Sequence, residues 1–168
     1  MNKGTLYLIK LFTFLFMLLF KGTGLVAQHG DYLIQPVPFT AVTIEDNFWA
    51  PKIKTNHEVT IPYGFRQSAD RIFNFEVAAG LKAGNFATDY PFDDTDIYKL
   101  IEGASYSLHY YPDVKLESYI DSLIEIVGKA QEPDGYLYTT RTIAEKNGTK
   151  PHEWSGDKRW VNERILSH

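Results

Sequence analysis

Three carboxylates stand within four residues, Asp93, Asp94 and Asp96, in the run Phe92-Asp93-Asp94-Thr95-Asp96-Ile97-Tyr98-Lys99. A second polar set, Gln131, Asp134 and Tyr136, follows in Ala130-Gln131-Glu132-Pro133-Asp134-Gly135-Tyr136-Leu137. Ionised carboxylates make the stronger hydrogen bonds and can accept two hydroxyl donors at once. An amide and a phenol beside them supply both donors and acceptors. The chemistry these sets suit is recognition of a neutral, polyhydroxylated ligand. Local structure competes for the same residues. Asp94 or Thr95 suits a helix cap, and Asp96 a first turn, where negative charge opposes the macrodipole favourably. Gln131 to Gly135 suits a helix stop followed by a Pro/Gly turn. Three carboxylates exceed what one cap needs, and in the turn both readings can hold together.

Other chemistries are absent from the sequence. It has no cysteine, hence no thiolate nucleophile and no thiolate metal site. No phosphate loop, zinc-ligand pair or Ser-His-Asp order can be assembled from it. His57, His109 and His152 read as surface residues, and Asn74, between Phe73 and Phe75, as a side chain that bonds backbone in a bend. Asn147-Gly148-Thr149 matches a glycosylation sequon, a weak motif.

The elements that must position these residues are mainly helical. Ile97, Leu100, Ile101, Ala104 and Leu108 form one apolar stripe, so a helix starts at Asp94 or Thr95 and ends at Tyr111-Pro112-Asp113. Leu116, Ile120, Leu123, Ile124 and Val127 form the stripe of a second helix, Val114 to about Ala130. So short a link makes the two an antiparallel hairpin. Upstream, residues 53–72 read as helix, with Pro62 at a first-turn position, Thr60 as its cap, and Phe65, Ala69 and Ile72 on one face. Residues 80–93 carry Gly80, Gly84 and Asn85 without periodicity and read as a loop. Phe39 to Ile44 reads as a short strand, followed by a break in which Trp49 anchors the arm. Residues 136–140 read as extended, 144–158 as a polar surface excursion, and 159–168 as the start of another helix, with Val161 and Ile165 four apart. That helix meets the end of the chain after about two turns. The expectation is an N-terminal portion of a longer domain.

Residues 1–27 read as a secretory signal peptide: Lys3 and Lys10, an apolar run from Leu11 to Phe20, and Leu25-Val26-Ala27 before the cut. The run is too short for the roughly 20 apolar residues that span a bilayer. The expected location is therefore periplasmic or extracellular, without membrane attachment after cleavage. Loss of three lysines moves the net charge from −4 to about −7. Nucleic acid, which needs clustered Lys and Arg, is thereby disfavoured. Twenty of the Phe, Tyr and Trp residues lie beyond residue 27. They fill a core by default, and some are available to stack on sugar. The division expected is signal peptide 1–27, arm 28–52, and helical domain 53–168.

These pieces resemble the N-terminal part of the β-L-arabinofuranosidase family of glycoside hydrolases, family 127. The matching segments are Val42 to Trp49, Ile61-Pro62-Tyr63, Asn74 to Gly80, Phe92 to Glu102, Ala130 to Leu137 and Leu166-Ser167-His168, in the family's order. Asp93 departs from the family, which often has another polar residue there. The resemblance implies a partial (α/α)6 barrel and a carbohydrate partner, an arabinose-containing glycan. It further implies a retaining mechanism with a cysteine nucleophile held on zinc by Glu and Cys ligands, and a separate glutamate as acid/base. All of these lie beyond position 168, so this chain is expected to hold no catalytic residue, metal or cofactor of its own. His168 falls on the histidine opening the family's Ser-His-Glu-Leu-Tyr segment, which contacts the sugar ring. The expected sugar-facing residues are thus His168, Asp94, Asp96, Gln131, Asp134 and Tyr136. The alternatives are an exported glycan-binding module without chemistry, or an inactive truncated product.

Overall fold

The computed structural model describes residues 34–156 and 158–160. The expected signal segment, residues 161–168 and with them His168 lie outside the described residues; of the helix expected over 159–168, the two described residues, Arg159 and Trp160, form a turn instead. The chain divides into two compact units, Met1–Ala41 and Val42–His168. In the first, Phe39–Ala41 is one turn of 3-10 helix and is exposed.

The strand expected over Phe39 to Ile44 does not form. After the 3-10 turn, residues 42–45 have no regular structure. A lone alternating segment leaves its ladder groups unpaired, and no strand lies beside it among the described residues. Trp49 is not the buried anchor expected either. It is 56% exposed and opens helix α1, Trp49–Thr55. Asp46 sets that start: its Oδ1 accepts from the backbone N–H groups of Phe48, Trp49 and Ala50.

One π-helical segment, Asn56–Thr60, joins α1 to helix α2, Ile61–Gln67. Pro62 explains the change of register. It has no N–H to offer the Glu58 carbonyl, and Ile61 N–H bonds Asn56 O instead. Ser68 breaks the path before helix α3, Ala69–Ala78. The single helix expected over 53–72 is therefore the end of α1, the π segment and α2 in one continuous run, followed by α3 beyond the break at Ser68. Helix α4, Asp94–Tyr110, and helix α5, Val114–Ala130, have the predicted bounds. Asp113 caps α5, its Oδ1 accepting from Lys115 N–H at 2.9 Å and Leu116 N–H at 3.2 Å.

Helix α6, Thr139–Lys146, is an element that sequence reasoning missed. Thr139, Thr140 and Thr142 favour extended backbone when judged alone. Here a carboxylate from another helix receives the N-terminal donors of α6, described below, and local propensity is overridden.

α3 packs against α4, α5 and α6, and α2 against α4. One core cluster gathers Phe75, Val77, Ala78, Ile97, Ala130 and Ile143. The other gathers Ile61, Phe65, Ala104, Ile120 and Leu123, with Ile72, Ile101 and Ile126 packed against both. The stripe predicted for α4 is the face turned inward, and so is that of α5 except Ile124, which is 50% exposed while Ile126 packs against the core in its place. Gly64 lets α2 approach α4 closely: a Cβ there would sit 2.6 Å from Leu100 Cδ2.

Candidate functional site

Asp94 joins the two polar segments. It sits in the first turn of α4, 3% exposed. Its Oδ2 accepts from Thr139 N–H at 2.9 Å, and its Oδ1 from Thr139 Oγ1 at 2.6 Å. Thr139 is the first residue of α6, so the carboxylate meets the unsatisfied donors of that helix's N-terminus. The result brings the N-termini of α4 and α6 to one place, carrying the acidic run and the Gln131–Tyr136 turn with them. Burial pushes the Asp94 carboxyl up from 3.8 to about 6, against the opposing pull of both Thr139 bonds.

Arg71 of α3 reaches the same helix start. Its Nη2 lies 3.1 Å from Asp93 Oδ2 and its Nε 3.4 Å from Asp96 Oδ2. These are ion pairs without hydrogen-bond alignment, since Arg71 Nε and Asp93 Oδ2 are buried and have no hydrogen-bond partner. Burial raises the Asp93 carboxyl, and the Arg71 charge works against it. Asp96 remains 42% exposed and also pairs with Lys99 at 3.6 Å. Asn74, fully buried in α3, accepts from Ala87 N–H at 2.8 Å and donates to Thr88 Oγ1 at 3.2 Å. It does bond backbone, but from a helix across to the 85–90 loop rather than within a bend.

The turn after α5 is built from its own polar residues. Gln131 Nε2 donates to Gly135 O at 3.0 Å, and Asp134 Oδ1 accepts from Tyr136 N–H at 3.0 Å. Gly135 takes φ +88°, a conformation side-chain-bearing residues rarely adopt. Gln131 and Asp134 remain exposed, whereas Tyr136 points inward and is fully buried. Arg159 lies over the Tyr136 ring at 4.8 Å, and the Trp160 ring meets it edge-on at 4.9 Å. Arg159 also binds Glu132 and Glu145, tying the turn to α6. Hydrogen bonding to Arg159 holds the Glu145 carboxyl below its usual range.

The six residues singled out from sequence therefore separate. Asp94 and Tyr136 are buried, with Asp94 committed to Thr139. Asp96, Gln131 and Asp134 stand at the surface of the same region, and His168 lies outside the described residues. Sequence reasoning missed Arg71, Thr139 and Arg159. Only contacts between residues far apart in the chain reveal them, and no local motif marks them.

Beside Asp96, α4 presents a second face across from its apolar stripe. Thr95, Tyr98, Lys99 and Glu102 recur there at helical spacing. With Phe92 they line a cavity of about 590 Å³. A larger groove of about 780 Å³ runs between α2, α3 and α5, lined by Phe65, Ile72, Leu116 and Tyr119 among others. At its rim the structure does assemble a serine, a histidine and an aspartate. His57 Nδ1 is 3.0 Å from Ser107 Oγ, and its Nε2 is 4.0 Å from Asp113 Oδ2. His57 is thus half-hidden against Tyr111 rather than a free surface residue. Ser107 is only 5% exposed and Asp113 already caps α5, so the trio is an internal tie and not a nucleophile.

No group of three or more His, Cys, Asp or Glu placed to hold a metal occurs among the described residues. With no cysteine in the chain, the thiolate ligands that the resemblance implies for zinc are missing. The residues present do not fit that metal.

Residues 41–168 match the catalytic domain of glycoside hydrolase family 127 β-L-arabinofuranosidases. The chain is 33% identical over 123 residues to a non-reducing end β-L-arabinofuranosidase of Bifidobacterium longum subsp. longum, covering 61% of this chain and 18% of that protein. Among solved structures it is similar to a family 127 β-arabinofuranosidase, at 52% identity and a TM-score of 0.69, covering 80% of this chain and 21% of that one. It is also similar to a family 127 β-L-arabinofuranosidase from Geobacillus stearothermophilus T6, at 35% identity and a TM-score of 0.63, covering 75% and 20%. The chain spans about a fifth of the length of these relatives.

Proposed function

Because the chain belongs to the family of glycoside hydrolase 127 β-L-arabinofuranosidase catalytic domains, we propose that it forms the N-terminal part of an exported enzyme that hydrolyses β-L-arabinofuranosyl linkages in plant-type glycans. The observation that carries this reading is the family match running through residues 41–168. The geometry described above supports it. Two helix N-termini, three surface carboxylates or amides and a set of partly exposed rings meet at one end of the helical hairpin, a suitable wall for a neutral sugar.

In this reading Asp96, Gln131 and Asp134 offer hydrogen bonds to the glycan, and His168 contacts the ring as the resemblance implies. Asp94 and Tyr136 hold the wall in place from behind it. The nucleophile, the acid/base and any zinc ligands belong to sequence downstream, in the rest of an (α/α)6 barrel. The chain alone binds without turning substrate over, since it has no thiol to attack with.

The test reads the coding DNA onward from His168 and assays the product of that frame on an aryl β-L-arabinofuranoside beside its α-anomer. Release of the aglycone from the β-anomer alone is the expected result. A frame lacking Glu-Leu-Tyr and later Glu and Cys residues, or turnover of neither substrate, overturns the reading.

A further inference from the structure

The outward face of α4 carries chemistry that the acidic run does not explain. Thr95, Tyr98, Lys99 and Glu102 follow one another at three to four residues, which places them on one side of the helix. Ile97 and Ala104 are buried on the other. With Phe92, these residues line the cavity of about 590 Å³. Its aromatic surface is built rather than incidental. Phe92 and Tyr90 lie at 5.4 Å with their planes tilted 31°. The Tyr98 ring is braced edge-on at 5.8 Å by Phe75, which is itself 1% exposed. Both lining rings remain more than a third exposed, Phe92 at 36% and Tyr98 at 37%.

The polar groups around those rings are pre-set. Thr95 Oγ1 donates to Phe92 O at 3.1 Å and receives Lys99 Nζ at 3.3 Å. Asp96 holds the same ammonium at 3.6 Å. Glu102 completes the rim as an exposed carboxylate, with no hydrogen bond or ion pair among the described residues. Burial, and next the charge of Asp94, keep the Tyr98 phenol protonated well above its ordinary range, so it stays both a donor and an acceptor. Two partly exposed rings suit the C–H face of a sugar. An ammonium, a phenol and a carboxylate around them suit its hydroxyls. Lys99 is already paired with Asp96, so Glu102 is the unbalanced charge of the rim, which disfavours an anionic ligand and suits the hydroxyl donors of an uncharged one.

We propose that the Phe92–Tyr98–Glu102 cavity is a subsite for one sugar ring of a neutral glycan, with the ring stacked on Tyr98 and a hydroxyl pair held by Glu102. The proposal rests on the carbohydrate reading above and adds to it the residues that choose the sugar. Tyr98 and Glu102 are specificity-determining residues and take no part in bond cleavage.

Calorimetric titration of the purified chain with an arabino-oligosaccharide, a xylo-oligosaccharide and a cello-oligosaccharide tests it. Binding of the first is expected. Tyr98→Ala should weaken it about tenfold, and Glu102→Gln about three- to tenfold, while Glu125→Gln on the exposed side of α5 leaves it unchanged. Glu102 is exposed, so its variant keeps the test valid even where Tyr98→Ala disturbs packing against Phe75. No binding of any of the three glycans, or binding that neither variant weakens, overturns the subsite. Binding of the xylan or glucan fragment alone, weakened by both variants, upholds the subsite and instead removes the arabinoside reading.

Discussion

Replacing Asp94 tests the joint that brings the two polar segments together. The carboxyl is 3% exposed, and its ordinary value of 3.8 is raised to about 6, chiefly by burial. An acid whose value rises on folding holds its proton more tightly in the folded chain than in the unfolded one. Between about pH 4 and pH 6 the folded state therefore binds the extra proton, and stability falls as pH rises through that window. About two pH units correspond to about 3 kcal/mol. Asparagine does not titrate, yet it can keep both contacts. Its carbonyl accepts from Thr139 N–H, and its amide donates to Thr139 Oγ1 once the hydroxyl rotates. Asp94→Asn should match the wild type near pH 4 and exceed it by up to about 3 kcal/mol at pH 7. Asp94→Ala leaves the Thr139 N–H, in a residue 1% exposed, without an acceptor, and should cost about 1–3 kcal/mol at pH 4. Urea unfolding followed by circular dichroism at several pH values reads all three proteins. Taking the difference between variant and wild type removes the contribution of Glu145, whose shift runs in the opposite direction. A difference between Asp94→Asn and wild type that is flat from pH 4 to pH 7, or that favours the wild type more as pH rises, refutes the reasoning.

Further outcomes follow from single contacts. Asp113→Ala removes the cap of α5 and should lower stability by about 1 kcal/mol, with Asp113→Asn retaining most of it in the same urea midpoint measurement. Gly64→Ala drives a Cβ into Leu100 Cδ2 and should cost about 1–3 kcal/mol, less when combined with Leu100→Ala, a non-additivity that a double-mutant cycle measures. Leu123→Ala, at a position 2% exposed, should cost about 2–5 kcal/mol in thermal or urea unfolding. Arg159→Ala should return the Glu145 carboxyl toward its usual range, seen by side-chain NMR titration. Because that pair is partly exposed, the loss of stability should stay under about 1 kcal/mol and shrink in high salt.

The α4–α5 hairpin was legible in the residues because its signals are local. The stripes at 3.6-residue spacing and the Tyr111-Pro112-Asp113 break act within a turn or two of where they lie, and the structure places them as expected apart from Ile124, which faces outward. The family resemblance was legible for a similar reason, since ordered short motifs survive in linear text. The short strand was not, because alternation at Val42 to Ile44 specifies a strand only if a partner stands beside it. Helix α6 was missed for the complementary reason. Its threonines argue for extended chain, and the group that stabilises its first turn is Asp94, far away in sequence.

The candidate site divides along the same line. Which residues could meet a polyol was readable from side-chain chemistry: the carboxylates of the acidic run and the amide, carboxylate and phenol of the turn. Which way each one faces was not. Asp94 turns inward because the donors of α6 are there to receive it, and Tyr136 is buried beneath Arg159 and Trp160. Asp96 stays outside, where Arg71 and Lys99 balance it in water. The sequence by itself determined the helical class, the hairpin and the stock of polar and aromatic groups, because periodicity, capping and side-chain chemistry are properties of neighbouring residues. Only the tertiary structure decided which of those groups are buried and which stay at the surface, because burial and the long-range bond between Asp94 and Thr139 exist only once the helices have packed.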